Sequence, residues 1–159
     1  FEEMGYDPLP YYEEPPESPL STPEVAAEFP LVLTTGGRIP FFFNSEHRQL
    51  KMLRKAHPDP LAEIHPDTAK QFGIMDGDWM WIETRRGKMR QKAKIWEGID
   101  PRVIHVEHGW WFPEKAAPEY GVWESNANLL TSNLPPYDPQ MGTYHLRGLL
   151  CRIGKAAKP

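Results

Sequence analysis

Between His108 and Thr131 the chain reads HGWWFPEKAAPEYGVWESNANLLT, placing a histidine, three of the six tryptophans and two closely spaced asparagines among turn residues. Asn126 and Asn128 each offer a carbonyl acceptor and an amide donor pair, which suits them to reading the edge of a heterocyclic ring. Ser125 adds a hydroxyl beside them. The ordinary work of asparagine is capping and turn formation, and that reading stands next to the first. His108-Gly109-Trp110-Trp111 could set an imidazole and an indole against a ligand, or could simply pack aromatic rings at a rim. Loops with this much aromatic surface are commonly built around something.

Two further stretches could do related chemistry. In Thr34-Thr35-Gly36-Gly37-Arg38 the glycines permit close approach of the backbone to a ligand, and Arg38 can take a phosphate with both arms of its guanidinium. The same pattern also serves as a plain turn with a solvated arginine. It is neither a dinucleotide fingerprint nor a P-loop. Asn44-Ser45-Glu46-His47-Arg48-Gln49 is a run of hydrogen-bonding side chains. It reads as a polar helix start with Ser45 as N-cap, and a helix N-terminus is itself a place for an anion. His57 and His65 precede prolines in turns and His105 falls on a strand; all three read as structural, and no histidine pair has metal-site spacing. The lone Cys151 excludes an internal disulfide and any cysteine-based zinc or iron–sulfur site within this chain, and reads as a buried thiol.

The elements that must position these residues are mostly strands. Leu31–Leu33, Ala62–Ile64, Trp79–Thr84, Lys88–Trp96, Val103–Val106 and Leu149–Ile153 carry the apolar runs or alternations of short strands, and Arg85-Arg86-Gly87 closes a hairpin. Helical signals are brief: His47–Lys55, and a turn or two from Pro66 stopped at Gly73. Eighteen prolines and twelve glycines in 159 residues agree with many turns. Tight hairpins with one or two short helices indicate a closed β-barrel.

Charge divides the chain. Residues 1–28 hold eight acids, no Lys or Arg, and Pro8, Pro10, Pro15, Pro16, Pro19 and Pro23. Such a segment buries too little apolar surface to order itself and is expected to be an extended linker or surface arm. Removing its acids from the twenty-two leaves fourteen against eighteen basic residues, a net of +4 for the remainder, so an anionic ligand is admissible. The basic run Arg85, Arg86, Lys88, Arg90, Lys92 and Lys94 reads as a solvated face rather than a nucleic-acid site. No apolar run reaches membrane-spanning length and no signal peptide is visible. The expected organisation is an arm over 1–28, a barrel over 29–155 and a tail over 156–159.

The pieces LTTGGR, SEHRQ, IHPDTAKQFGIMDGDWMWIETRRGK, HGWWFPE, VWESNANLLT and RGLLCRI occur in an order that resembles the C-terminal domain of the dimethyl-sulfoxide-reductase family of molybdenum/tungsten oxidoreductases. The resemblance runs over about residues 30–153 and is greatest toward the branch of acetylene-hydratase-like, polysulfide-type and formate-dehydrogenase-like subunits. It implies a six-stranded double-psi β-barrel that forms one wall of the cavity for bis-molybdopterin guanine dinucleotide. It also implies that the metal ligand and an iron–sulfur cluster belong to other domains of a parent subunit, with an iron–sulfur electron-transfer subunit as a further partner. Where many relatives have a histidine, this chain has Asn44, which puts a proton-transfer role there in doubt.

On that resemblance the cofactor contacts are expected from Thr35, Gly36, Gly37 and Arg38, from Asn44, Ser45, Glu46, His47 and Arg48, from His108, Gly109, Trp110 and Trp111, and from Ser125, Asn126 and Asn128. No catalytic residue and no metal ligand is expected, so the domain binds and positions while the cofactor supplies the chemistry. The competing reading is a stand-alone barrel used as a protein-interaction module, and a barrel binding nucleic acid through the basic hairpin ranks last.

Overall fold

The computed structural model describes residues 1–157; of the tail expected over 156–159, residues 158 and 159 lie outside them. Six strands, β1 (Leu31–Gly37), β2 (Leu61–Ile64), β3 (Trp79–Thr84), β4 (Gly87–Ile95), β5 (Val103–Glu107) and β6 (Leu149–Lys155), close in the order β1-β5-β2-β4-β3-β6. β1 runs parallel to β5 and β2 parallel to β4, while the other neighbours are antiparallel. Closure with these two parallel pairs is the double-psi barrel, and it leaves no open sheet edge.

Alternation sets the register. Leu31 and Leu33 of β1, Met80 and Ile82 of β3, Met89 and Ala93 of β4, and Ile104 and Val106 of β5 point inward and form one cluster with Leu149 and Cys151 of β6. One-residue slippage would turn each set to solvent, so burial fixes the pairing. Gln91 is buried on the inner face of β4, where a free amide would be costly. Its Nε2 donates to the Glu107 carbonyl at 2.8 Å and its Oε1 accepts the Glu107 N–H at 3.2 Å, tying β4 to the end of β5.

Four short helices decorate the barrel where one or two were expected: α1 (Pro23–Glu28), α2 (Lys51–Ala56), α3 (Pro66–Gln71) and α4 (Val122–Ser125). α1 and α3 carry proline in the first turn, a position whose N–H has no helical partner to lose. His65 caps α3 by accepting the Asp67 N–H at 3.2 Å. The helix expected over 47–55 begins only at Lys51, because His47 has φ 72° and cannot continue a right-handed helix. No helix among the described residues is long and apolar enough to cross a membrane.

The acidic segment meets the barrel through Glu17 and again through Glu28, which pairs with Arg152 of β6 at 3.0 Å. Glu17 and Ser18 are buried, whereas most of the first sixteen residues are exposed. Glu17 pairs with Arg86 at 2.9 Å and Arg85 at 3.1 Å. The basic hairpin is therefore not simply a solvated face: Arg90 pairs with Glu124, Lys92 with Asp59, and Lys94 with Glu63.

Candidate functional site

The chain leaves β1 through a backbone that only glycine can supply. A Cβ on Gly37 would lie 2.9 Å from the Val106 carbonyl oxygen and 3.0 Å from His105 Nε2, so a side chain there would push β1 off β5. Gly36 has φ 91°, and the β1–β5 register shifts between Thr34 and Gly37. This irregularity turns Arg38 outward, where it is exposed at the mouth of a cleft of about 430 Å³. Ile39, Pro40, Phe42, Phe43, Asn44 and His108 complete its lining with Gly37. A second cleft of about 420 Å³ shares Gly37, Arg38 and Pro40 and adds His57, Leu61, Glu63, Lys94, His105 and Glu107.

Loops 35–38, 44–48 and 108–111 converge at the first cleft. His108 donates from Nδ1 to the Gly37 carbonyl at 3.2 Å, and its Nε2 lies 3.3 Å from Asn44 Oδ1. An imidazolium donates at both nitrogens; a neutral ring takes the same contact when the Asn44 amide is turned to present its NH2. Gly109 has φ 67°, and a Cβ there would meet the Asn44 carbonyl and the Ser45 nitrogen at 3.0 Å. Trp111 donates its indole N–H to the Ser45 carbonyl at 2.6 Å. Asn44 sits at φ 49°, a left-handed conformation that asparagine tolerates better than most residues.

Several expected contact residues instead hold the loops. Thr35 is buried and donates its hydroxyl to the Leu146 carbonyl at 2.6 Å. Arg48 and Trp110 are buried side chains packed against each other, so neither faces a ligand in the cleft. Ser45 is no N-cap, since α2 starts after Leu50. Ser45 and Glu46 are exposed, His47 is half-buried, and Glu46 lies 3.7 Å from the His47 ring.

The 125–128 stretch lies against β4 rather than at this cleft. Ser125 is buried and donates to the Arg90 carbonyl. Asn126 Oδ1 accepts the Asn128 N–H at 3.0 Å, starting a 3-10 turn over Ala127–Leu129 whose Ala127 enters the core. Asn126 thus does the ordinary capping work, and Asn128 is left exposed.

Sequence reading passed over two features. Arg147 Nη2 would lie 3.0 Å from a Cβ on Gly36, bringing a second exposed guanidinium to the glycine turn from a distant part of the chain. His57, set aside as a turn residue, pairs with Glu107 at 3.0 Å in the second cleft. Neither pairing has a local sequence pattern.

The barrel and the loop geometry define a class that comparison with known proteins identifies. Residues 31–149 match the family described as "Molydopterin dinucleotide binding domain". The chain is 45% identical over 148 residues to a protein named dopamine dehydroxylase from Eggerthella lenta, covering 93% of this chain and 14% of the relative. It is 41% identical over 154 residues to acetylene hydratase of Syntrophotalea acetylenica, covering 93% and 21%. The solved structure of acetylene hydratase from Pelobacter acetylenicus superposes with a TM-score of 0.89 at 38% identity, over 98% of this chain and 22% of that one. The chain belongs to the molybdopterin-dinucleotide-binding domains of the dimethyl-sulfoxide-reductase family. Its cofactor is a molybdopterin guanine dinucleotide, and the stand-alone interaction module is not favoured. The chain spans about a fifth or less of the length of these relatives.

The residues present fit that group. Its phosphates would need cationic or N–H donors, a chemistry that Arg38 and the glycine turn could supply, and its ring edges would need hydrogen-bonding partners of the kind that Asn44, His108 and Asn128 offer. A Cβ at Gly37 would disrupt the turn on which this set stands.

Proposed function

We propose that this chain is the cofactor-holding barrel of a larger molybdenum- or tungsten-dependent oxidoreductase subunit, and that it seats bis-molybdopterin guanine dinucleotide against the cleft at Gly37–Asn44 and His108. The observation that carries the reading is the convergence of Arg38, Asn44 and His108 around a turn that admits no side chain at Gly37. Arg38 offers a bidentate cation to a phosphate, while the Asn44–His108 pair offers donors and an acceptor to a polar ring edge. Asn128, exposed on its 3-10 turn, is a separate contact aimed at another part of the same large cofactor.

The cofactor, when bound, supplies the metal and electron chemistry; this chain binds, orients and shields it. The remaining domains of the parent subunit close the cavity and carry the metal ligand and an iron–sulfur cluster, and an iron–sulfur subunit exchanges electrons with it. Residues 1–28 form the linking arm, 29–155 the binding barrel and 156–159 a tail.

The test uses the full parent enzyme with Arg38→Ala and Asn44→Ala. Guanine nucleotide released by acid and bound metal, each per subunit, are expected to fall in both variants. Loading equal to the unsubstituted enzyme in both would end the assignment.

A further inference from the structure

We infer that Arg48 is a positioning residue for this cleft: its buried guanidinium spans the carbonyls of Glu46 and His108 and thereby sets the Asn44–His108 pair that meets the ligand. The inference rests on the proposed reading of the cleft. Arg48 has no exposed surface. Its Nη1 donates to the Glu46 carbonyl at 3.1 Å and its Nη2 to the His108 carbonyl at 3.4 Å, so one planar group joins the two loops. The guanidinium lies 4.4 Å from the Phe42 ring centre and 4.9 Å from that of Trp110, and Trp110 in turn carries Arg54 at 4.9 Å.

A buried cation is an expensive way to fill this space. Among the described residues Arg48 makes no ion pair, and its Nε has no acceptor. The facing carboxylate, Glu107, is already engaged by His57 at 3.0 Å and by the Leu61 N–H at 3.0 Å. Burial lowers the Arg48 pKa, Glu107 opposes this and Arg54 adds to it, leaving it at about 10, so the group is still a cation at neutral pH. An apolar side chain of similar volume commonly serves a core as well or better than a buried charge. What such a side chain cannot do is hold two carbonyls from different loops at a fixed spacing, which the rigid fork of arginine does. The held segment needs this. It contains two non-glycine residues in left-handed conformations, Asn44 at φ 49° and His47 at φ 72°, and these persist only where surrounding contacts impose them.

The experiment uses the full parent enzyme and compares Asn44→Ala, Arg48→Lys, Arg48→Met and the Asn44→Ala/Arg48→Lys double variant. Retained guanine nucleotide after extended dilution and the thermal midpoint are measured for each. Arg48→Lys keeps the charge but loses the fork; its nucleotide retention is expected to fall roughly tenfold, the scale seen when a supporting residue behind a ligand is lost. The double variant is expected to be no worse than Asn44→Ala alone, because both changes remove the same pair. Arg48→Met should show the same loss with a cooperative thermal transition; if it does not fold, Arg48→Lys decides. Unchanged retention in Arg48→Lys, or losses that multiply in the double variant along with a falling midpoint, would overturn the inference. Asn44→Ala keeps the two readings apart: loss there with none in Arg48→Lys removes only the role of Arg48, whereas no loss in Asn44→Ala removes the cleft assignment and this inference with it.

Discussion

Glu17 Oε1 accepts the backbone N–H of Leu150 at 3.0 Å, fastening the acidic amino-terminal segment to the last strand of the barrel. The carboxylate is buried and also takes Arg86 and Arg85. Glu17→Gln keeps an acceptor for Leu150 but removes the charge that pairs with Arg86, the more buried of the two guanidiniums, and with the exposed Arg85. A loss of about 2 kcal/mol in urea unfolding is expected, the scale of hydrogen bonds to charged groups. A change below about 0.5 kcal/mol, typical of surface substitutions, would show that the segment is not fastened there.

The same residue gives a pH signature. Burial favours the neutral acid, but the Arg86 hydrogen bond, the Leu150 N–H and the charges of Arg86 and Arg85 outweigh it and hold the Glu17 pKa below its ordinary value of 4.5. A carboxyl whose folded pKa is depressed stabilises the fold fully above the unfolded value and loses that contribution as pH falls through the folded one. The stability gap between the unsubstituted chain and Glu17→Gln should be flat above about pH 5.5 and shrink on acidification below the ordinary carboxylate range. A gap that widens on acidification would contradict the assignment.

Gly109→Ala probes the junction of the two cleft loops. The new Cβ meets the Asn44 backbone at 3.0 Å from a residue at φ 67°. Left-handed backbone alone costs a non-glycine residue about 1–2 kcal/mol, and the contact adds to this. The thermal midpoint should drop, and the Trp111–Ser45 hydrogen bond should weaken, read as a shift in tryptophan emission. An unchanged midpoint and emission would mean that the loops are not packed together.

Asn126 and Asn128 separate capping from contact. Asn126→Ala removes the acceptor for the Asn128 N–H and should cost about 1 kcal/mol, as lost caps do. Asn128→Ala removes an exposed amide and should leave stability within about 0.5 kcal/mol. Cofactor loading of the parent enzyme should nevertheless fall in Asn128→Ala. Equal loading there would leave the exposed amide without a role.

Cys151 is buried in β6, and burial pushes its thiol pKa well above the ordinary range. Iodoacetamide needs the thiolate. The folded protein should stay unlabelled at pH 8 and label fully in denaturant; labelling of the folded form at the rate of a free thiol would contradict this burial.

Much of the barrel was legible because its strands alternate. Leu31/Leu33, Met80/Ile82 and Ile104/Val106 each face the core at period two, and the Arg85-Arg86-Gly87 turn announces its hairpin. Helix starts were less legible. Ser45 looks like a cap, yet His47 at φ 72° interrupts the right-handed helix and α2 starts only at Lys51. Pairings across the chain left no local trace at all: Glu17 with Leu150, His57 with Glu107, Arg147 with the Gly36 turn. Within the candidate site, residue types pointed to loops of which three meet at one cleft, but which side chains face outward depended on packing. Arg38, Asn44 and His108 line the cleft, while Thr35, Arg48 and Trp110 are buried behind its loops and Ser125 is buried against β4.

An experimental structure of the cofactor-loaded parent subunit would measure where the cofactor touches this barrel. The expected result places the Arg38 guanidinium within about 3.2 Å of a phosphate oxygen, with the Asn44–His108 pair at hydrogen-bond distance from a ring edge. A bound cofactor that lies beyond about 6 Å from Arg38, Asn44 and His108 alike, outside even water-bridged reach, would contradict it.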